Sequence, residues 1–236
     1  MKKKRIRRTV VCILALVLLA AIISCFASYL IQPVKEQPET DQELVVCIGD
    51  SITFGTGVFM RRKAAAYPYL LDELMDGYEV LNYGYNGATA IFSGDQPYGQ
   101  ELIDAAKAVG ANVYIVMLGT NDSKPHNWNA EAYRRDLENI LTQLRDLPTT
   151  ERVVLMSPIA AFEKWGSDKA VYDIRPVVIR EEIRGITEAM AEELGIEFLD
   201  LYPVFENRRD LLGDGVHPNL DGNQLIAEII FAFLEG

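Results

Sequence analysis

The chain has 236 residues, 49% of them hydrophobic, with 34 Asp and Glu against 23 Lys and Arg and a formal net charge of −11. That length accommodates one compact domain with an appendage, and the acidic balance argues against binding nucleic acid or another polyanion by general attraction. Three cysteines and two histidines, none at zinc-site spacing, argue against a disulfide scaffold and a structural metal.

Residues 1–8 carry six positive charges and no negative ones, and Thr9 to Ile31 then runs for 23 residues without a charge. At 1.5 Å rise per residue this run can cross a bilayer core of about 30 Å. The basic cluster is expected to stay on the cytoplasmic side and send the rest of the chain across. The expectation is therefore a single-pass signal anchor over 9–31. The alternatives are a lipid on Cys25, in the processing-site-like Ile22-Ile23-Ser24-Cys25, or cleavage after Ala27 or Ser28. Without the first eight residues, the remainder holds 17 basic against 34 acidic residues, a formal charge of −17. Such a domain suits a neutral substrate. Residues 32–43, polar with two prolines, read as a linker, and 44–236 as the domain.

The domain opens with Leu44-Val45-Val46-Cys47-Ile48, a β-branched run that reads as a buried strand, and stops at Gly49-Asp50-Ser51. A serine just past a buried strand, beside a glycine, lies where α/β folds place their chemistry. Read alone, it is equally a turn serine that caps the next helix. Cys47, the one thiol of the domain, reads as a small buried hydrophobe. A loop with Arg61-Arg62-Lys63 follows, then a helix from Tyr67-Pro68 toward Gly77, and a short strand at 79–82.

Tyr83-Gly84-Tyr85-Asn86-Gly87-Ala88-Thr89 is a glycine-punctuated loop at that strand's end. A helix over 99–109 precedes the strand 112–118, which ends in Gly119-Thr120-Asn121-Asp122. Apolar residues at 137, 140, 141, 144 and 147 predict an amphipathic helix over 131–147. A strand at 152–158, a long helix over 177–194, a strand at 197–201 and a last helix opening at Pro218 complete the pattern. Strands alternating with helices predict a parallel sheet covered on both faces, with its site beyond the carboxyl ends of the strands.

A serine nucleophile needs a base, and the domain offers His126 and His217. His217 lies three residues after Asp214, a spacing that lets a turn bring the carboxylate under Nδ1 and leave Nε2 for the serine proton. His126, in a Lys-Pro-His-Asn-Trp loop, is a possible substrate contact. Trp128 and Trp165 sit in loops where an aromatic ring either stacks on a sugar face or packs locally. No phosphate-binding glycine loop or cofactor motif appears, so no cofactor is expected.

Four blocks, Gly49-Asp50-Ser51-Ile52, the Asn82–Thr89 loop with Gly87, Gly119-Thr120-Asn121-Asp122 and Asp214-x-x-His217, together resemble the SGNH hydrolases, also called GDSL esterases and lipases. The resemblance runs from about Leu44 to Phe233 and implies a flavodoxin-like three-layer α/β/α sandwich with five parallel strands. It implies Ser51 as nucleophile, His217 as general base and acid, and Asp214 as its orienting partner. It also implies an oxyanion hole from the N–H groups of Ser51 and Gly87 and the side-chain amide of Asn121. Gly84 is the rival glycine in the second block; Asp50 and Asp122 read as structural.

The expected function is an extracytoplasmic serine esterase acting through an acyl-enzyme on small acyl esters, O-acetyl groups on carbohydrate foremost. The alternatives are a lysophospholipase or thioesterase for longer chains, a carbohydrate O-acyltransferase, and a non-catalytic binding module. The expected partners are the acyl-ester or acylated-carbohydrate substrate and the membrane, with no nucleic acid.

Overall fold

The computed structural model describes residues 13–21 and 32–236. Residues 13–21 are helical, and among the described residues no helix is long and apolar enough to cross a membrane. The other parts of the proposed anchor, 9–12 and 22–31 with Cys25, Ala27 and Ser28, lie outside the described residues, as does the basic cluster.

Residues 33–236 form one compact unit built on five strands. These are β1 (Glu43–Gly49), β2 (Tyr78–Gly84), β3 (Val113–Met117), β4 (Arg152–Met156) and β5 (Glu197–Leu199), all parallel, in the order β2-β1-β3-β4-β5. All of β3 and the last five residues of β1 are buried, as continuous β-branched runs require when helices cover both faces of a sheet.

On one side α2 (Tyr67–Asp72) packs against α7 (Leu220–Glu235), which follows the short α6 (Tyr202–Phe205) in the chain. On the other, α4 (Ala130–Arg145) packs against α5 (Arg184–Leu194) and is tied to α3 (Gln100–Ala108) by bonds from Gln100 and Lys107 to Gln143. The heptad-like spacing in α4 buries Leu137, Ile140, Leu141 and Leu144, while Asn129 caps its first turn by accepting from Ala132 N–H at 2.8 Å. Asn219 does the same for α7, so that helix begins at Leu220 rather than at Pro218.

Two expectations are modified. The helix read over 177–194 is interrupted: a π-helical turn at Ile179–Ile183 separates Pro176–Val178 from α5. The polar stretch read as a linker is also bound along β2. Val34 N–H donates to Gly84 O, and the Glu36 carboxylate accepts from Tyr69 Oη at 2.7 Å and Asn82 N–H at 2.8 Å. Glu79 then receives the N–H groups of Glu39 and Thr40. The signal was invisible in composition because the strap is held by its backbone and by polar side chains, chiefly the carboxylates of Glu36 and Glu79, not by an apolar period.

The carboxyl ends of β1, β2 and β3 align, with Gly49 opposite both Gly84 and Met117. After Gly49 the chain turns into the short helix α1 (Ser51–Phe54), and a Cβ at Gly84 would collide with the Phe54 backbone. Glycine there lets α1 lie directly across the strand ends.

Glu36→Ala should remove the acceptor of the buried Asn82 N–H and cost about 1–3 kcal/mol. Urea unfolding checks this through a lower midpoint at unchanged slope.

Candidate active site

Ser51 is the first residue of α1, and the Asp50 carboxylate fixes the turn before it by accepting from Ile52 N–H at 2.8 Å. The loop between Leu212 and Pro218 carries the other partners. Its ends are closed by Gly213 N–H donating to His217 O, and Asp214 Oδ1 receives the N–H groups of Val216 and His217 at 2.9 and 2.8 Å. This holds the carboxylate under its own histidine. Asp214 Oδ2 lies 2.7 Å from His217 Nδ1, and His217 Nε2 lies 2.9 Å from Ser51 Oγ. The three side chains make one hydrogen-bonded line.

Burial alone would raise the Asp214 carboxyl, but the bonds from the His217 ring and from the two N–H groups outweigh it and hold the group well below the usual carboxylate range. Asp214 therefore keeps its charge at any pH where the imidazole works. His217 is itself buried, and the Tyr172 ring meets it edge-on at 5.5 Å between centroids.

The line opens into a cleft of about 220 Å³ whose walls include Ser51, Gly87, Asn121, Lys124, Tyr172 and His217. Gly87 has φ +77, a conformation that favours glycine, in a turn pinned by Thr56 and Gln96, which donate to the side chain and carbonyl of Asn86. Asn121 Nδ2 donates to Ala88 O at 3.2 Å and lies 3.5 Å from Asp50 Oδ2. The side chain is thus turned toward the Ser51 loop.

Carboxylates brace this end of the sheet. Asp122 is buried and receives Ile91 N–H and Ala90 N–H at 2.9 and 3.1 Å. Burial pushes its carboxyl up to about 7, the two N–H groups oppose this, and the nearby Asp50 adds to it. Burial likewise raises Asp50. Asp95 goes the other way: bonds from His126, Asn127 and Lys124 overcome the effect of burial and bring it down to about 2.

His126 is part of that knot. Its ring is exposed, lies 3.0 Å from Asp95 Oδ2, and does not line the cleft. Trp128 is also engaged elsewhere, donating to Glu182 and packing on Tyr133. The structure instead brings in Tyr172, which no motif marked. It lies in a long segment between β4 and α5 and, with Asp173, takes a left-handed backbone at φ 59 and 60. Such geometry costs about 1–2 kcal/mol per residue outside glycine. The only sequence signal for it is the length of the segment itself.

A family model for the GDSL-like lipase/acylhydrolase family matches residues 47–225. An acetylxylan esterase from Xylanibacter ruminicola is 36% identical over 219 residues, covering 84% of this chain and 44% of that protein, so the chain spans less than half of that relative's length. Among solved structures, a carbohydrate acetylesterase family member from Sinorhizobium meliloti aligns at TM-score 0.64 and 22% identity over 82% of this chain and 97% of that one. A lipase/acylhydrolase from Enterococcus faecalis aligns at TM-score 0.60 and 20% identity over 82% and 96%. At such identities the two structures attest the fold.

Because Asp122 holds a proton in the native state that the unfolded chain releases near its ordinary value of 3.8, its contribution to stability falls as pH rises from about 4 to about 7. Asp50 adds to the same fall, whereas Asp214 acts in the opposite sense and below pH 4. Asp122→Asn, neutral throughout, should show a smaller loss of unfolding free energy across pH 4.5–7.5 than the parent, measured by urea unfolding at each pH.

Proposed function

The chain belongs to the GDSL-like lipase/acylhydrolase family, and from that premise and the site geometry we propose that it is a serine esterase removing small acyl groups, acetyl foremost, from carbohydrate hydroxyls. The observation that carries this reading is the unbroken line from Ser51 Oγ through His217 to Asp214 in the wall of a small cleft.

In this reading Ser51 Oγ attacks the ester carbonyl carbon while its proton passes to His217 Nε2. Asp214 stays ionised, holds Nδ1–H and stabilises the imidazolium. The oxyanion is received by Ser51 N–H, Gly87 N–H and Asn121 Nδ2. The amide meets Asp50 only at the 3.5 Å limit of a hydrogen bond, a contact weak enough to yield to an oxyanion. Collapse breaks the ester bond, and the departing sugar oxygen takes the proton from Nε2. Water then gives a proton to the same nitrogen as its oxygen adds to the acetyl carbon; collapse breaks the bond to Ser51 Oγ, which takes the proton back from Nε2, and acetic acid leaves.

The cleft beside Ser51, about 220 Å³, has room for an acetyl ester. Carbohydrate as the alcohol is supported by the acetylxylan esterase relative and by the acidic domain, which suits a neutral substrate. The basic cluster before 23 uncharged residues supports a membrane-anchored, extracytoplasmic placement.

p-Nitrophenyl acetate should be turned over well and the octanoate poorly. Ser51→Ala should lose at least about 10⁴-fold in kcat and Asn121→Ala about 10²–10³-fold. Steady-state kinetics of the parent and both variants on the two esters decides the matter. Hydrolysis that survives Ser51→Ala would refute the mechanism, and a preference for octanoate would move the substrate to lipid.

A further inference from the structure

The segment from Ser157 to Arg175 joins β4 to the helices before α5 and contains no regular element beyond a short turn at Val171–Asp173. Its length is not slack. Phe162 N–H donates to Gly215 O, joining the segment to the Asp214–His217 loop. At its far end Arg175 donates from Nε to Ser123 O at 2.6 Å, and its N–H donates to Ser123 Oγ. Both ends are thus fastened to the loops that carry His217 and Asn121.

Between these anchors the backbone makes two tight turns. Lys164 N–H to Lys169 O and Ser167 N–H to Lys164 O close the first, with Trp165 at its tip. Ala170 N–H to Ile174 O closes the second, with Tyr172 at its tip, while Ala170 and Ile174 themselves are buried. Trp165 is fully exposed and Tyr172 is 61% exposed. Two large aromatic rings are therefore held out in water on a bracketed loop, one of them against His217. Holding Tyr172 there requires left-handed backbone at a non-glycine residue, which packing alone does not call for.

We propose that Trp165 and Tyr172 form an aromatic surface that receives the sugar rings of a neutral glycan chain, extending the substrate site beyond the acetylated unit. This rests on the esterase reading and names its substrate more narrowly: a polymer rather than a free acetylated sugar. A sugar ring presents a flat C–H face to an aromatic ring and hydroxyls to its surroundings. Here each ring is framed by polar side chains, Lys164, Ser167, Asp168 and Lys169 around Trp165 and Asp173 beside Tyr172. A lipid or a protein partner would call for a continuous aliphatic patch instead. Rings with only two rotatable bonds, on a loop already fastened, lose little entropy on binding.

The test compares kcat/KM on acetylated xylan with kcat/KM on p-nitrophenyl acetate for the parent, Trp165→Ala, Tyr172→Ala and Tyr172→Phe. The ratio of the two should fall about tenfold in each alanine variant, through KM on the polymer, and Tyr172→Phe should restore most of it. Equal losses on both substrates would reduce the residues to structural roles and overturn the proposal, as would an unchanged ratio. If the parent hydrolyses neither ester, the esterase reading fails. The aromatic surface is then judged by calorimetric titration with unacetylated xylo-oligosaccharide: binding by the parent that weakens in Trp165→Ala sustains it, and equal or absent binding overturns it.

Discussion

The structure depends on the position of β1. It is the first strand of the sheet, yet it lies inside it, with β2 hydrogen-bonded on one side and β3 on the other. The connection after β1 must leave in one direction and the connection after β2 must return in the other, which opens a crevice at the carboxyl end of β1. The three loops that leave β1, β2 and β3 meet there and carry Ser51, Gly87 and Asn121. His217 reaches the same point from beyond β5, in a loop closed on itself by Asp214. The glycines at the ends of β1 and β2 serve this convergence, since a Cβ at either would strike α1.

Carboxylates hold those loops in place, and each is tuned by what it binds. Asp214 accepts only from groups that favour its charge and stays ionised. Asp122 and Asp50 are enclosed so fully that burial dominates, and both are raised despite backbone donors. Asp95 lies nearer the surface and gathers Lys124, His126 and Asn127, which lower it. An isolated buried carboxylate is costly, so this end of the sheet surrenders some stability to fix its loops. The arrangement holds the loops that carry Ser51, Gly87 and Asn121 in fixed positions around the cleft.

The sheet and the residues gathered around the cleft were legible in the sequence for different reasons. Continuous β-branched runs such as 113–117 and the spacing of the leucines in α4 record burial directly, so strand and helix positions follow from local pattern. Ser51, Gly87, Asn121, Asp214 and His217 could be read because their neighbours are constrained in turn chemistry, and four weak blocks in fixed order point to one arrangement. The strap at Val34–Thr40 could not, because its attachment is Glu36 meeting Tyr69 and Asn82 across more than thirty residues of chain. His126 had the right chemistry for a substrate contact, but the sequence did not show that Asp95 would claim it. Tyr172 was silent, since nothing local distinguishes a strained tyrosine over a histidine from one in an ordinary loop.

This division has a physical basis. One bond of the line, His217 to Ser51, spans 166 residues, but the bonds that shape its parts are short-range: Asp214 reaches His217 across three residues, and Asp50 caps the helix that Ser51 begins. Interactions of that kind leave a pattern in consecutive residues. What surrounds that line is set by a long segment whose attachments, among them Phe162 on Gly215 and Arg175 on Ser123, join positions far apart in sequence. The strain at Tyr172 and Asp173 thus lies in this long-range part of the site, where Tyr172 meets His217 edge-on, and not in the loops that carry Ser51, Asn121 and His217.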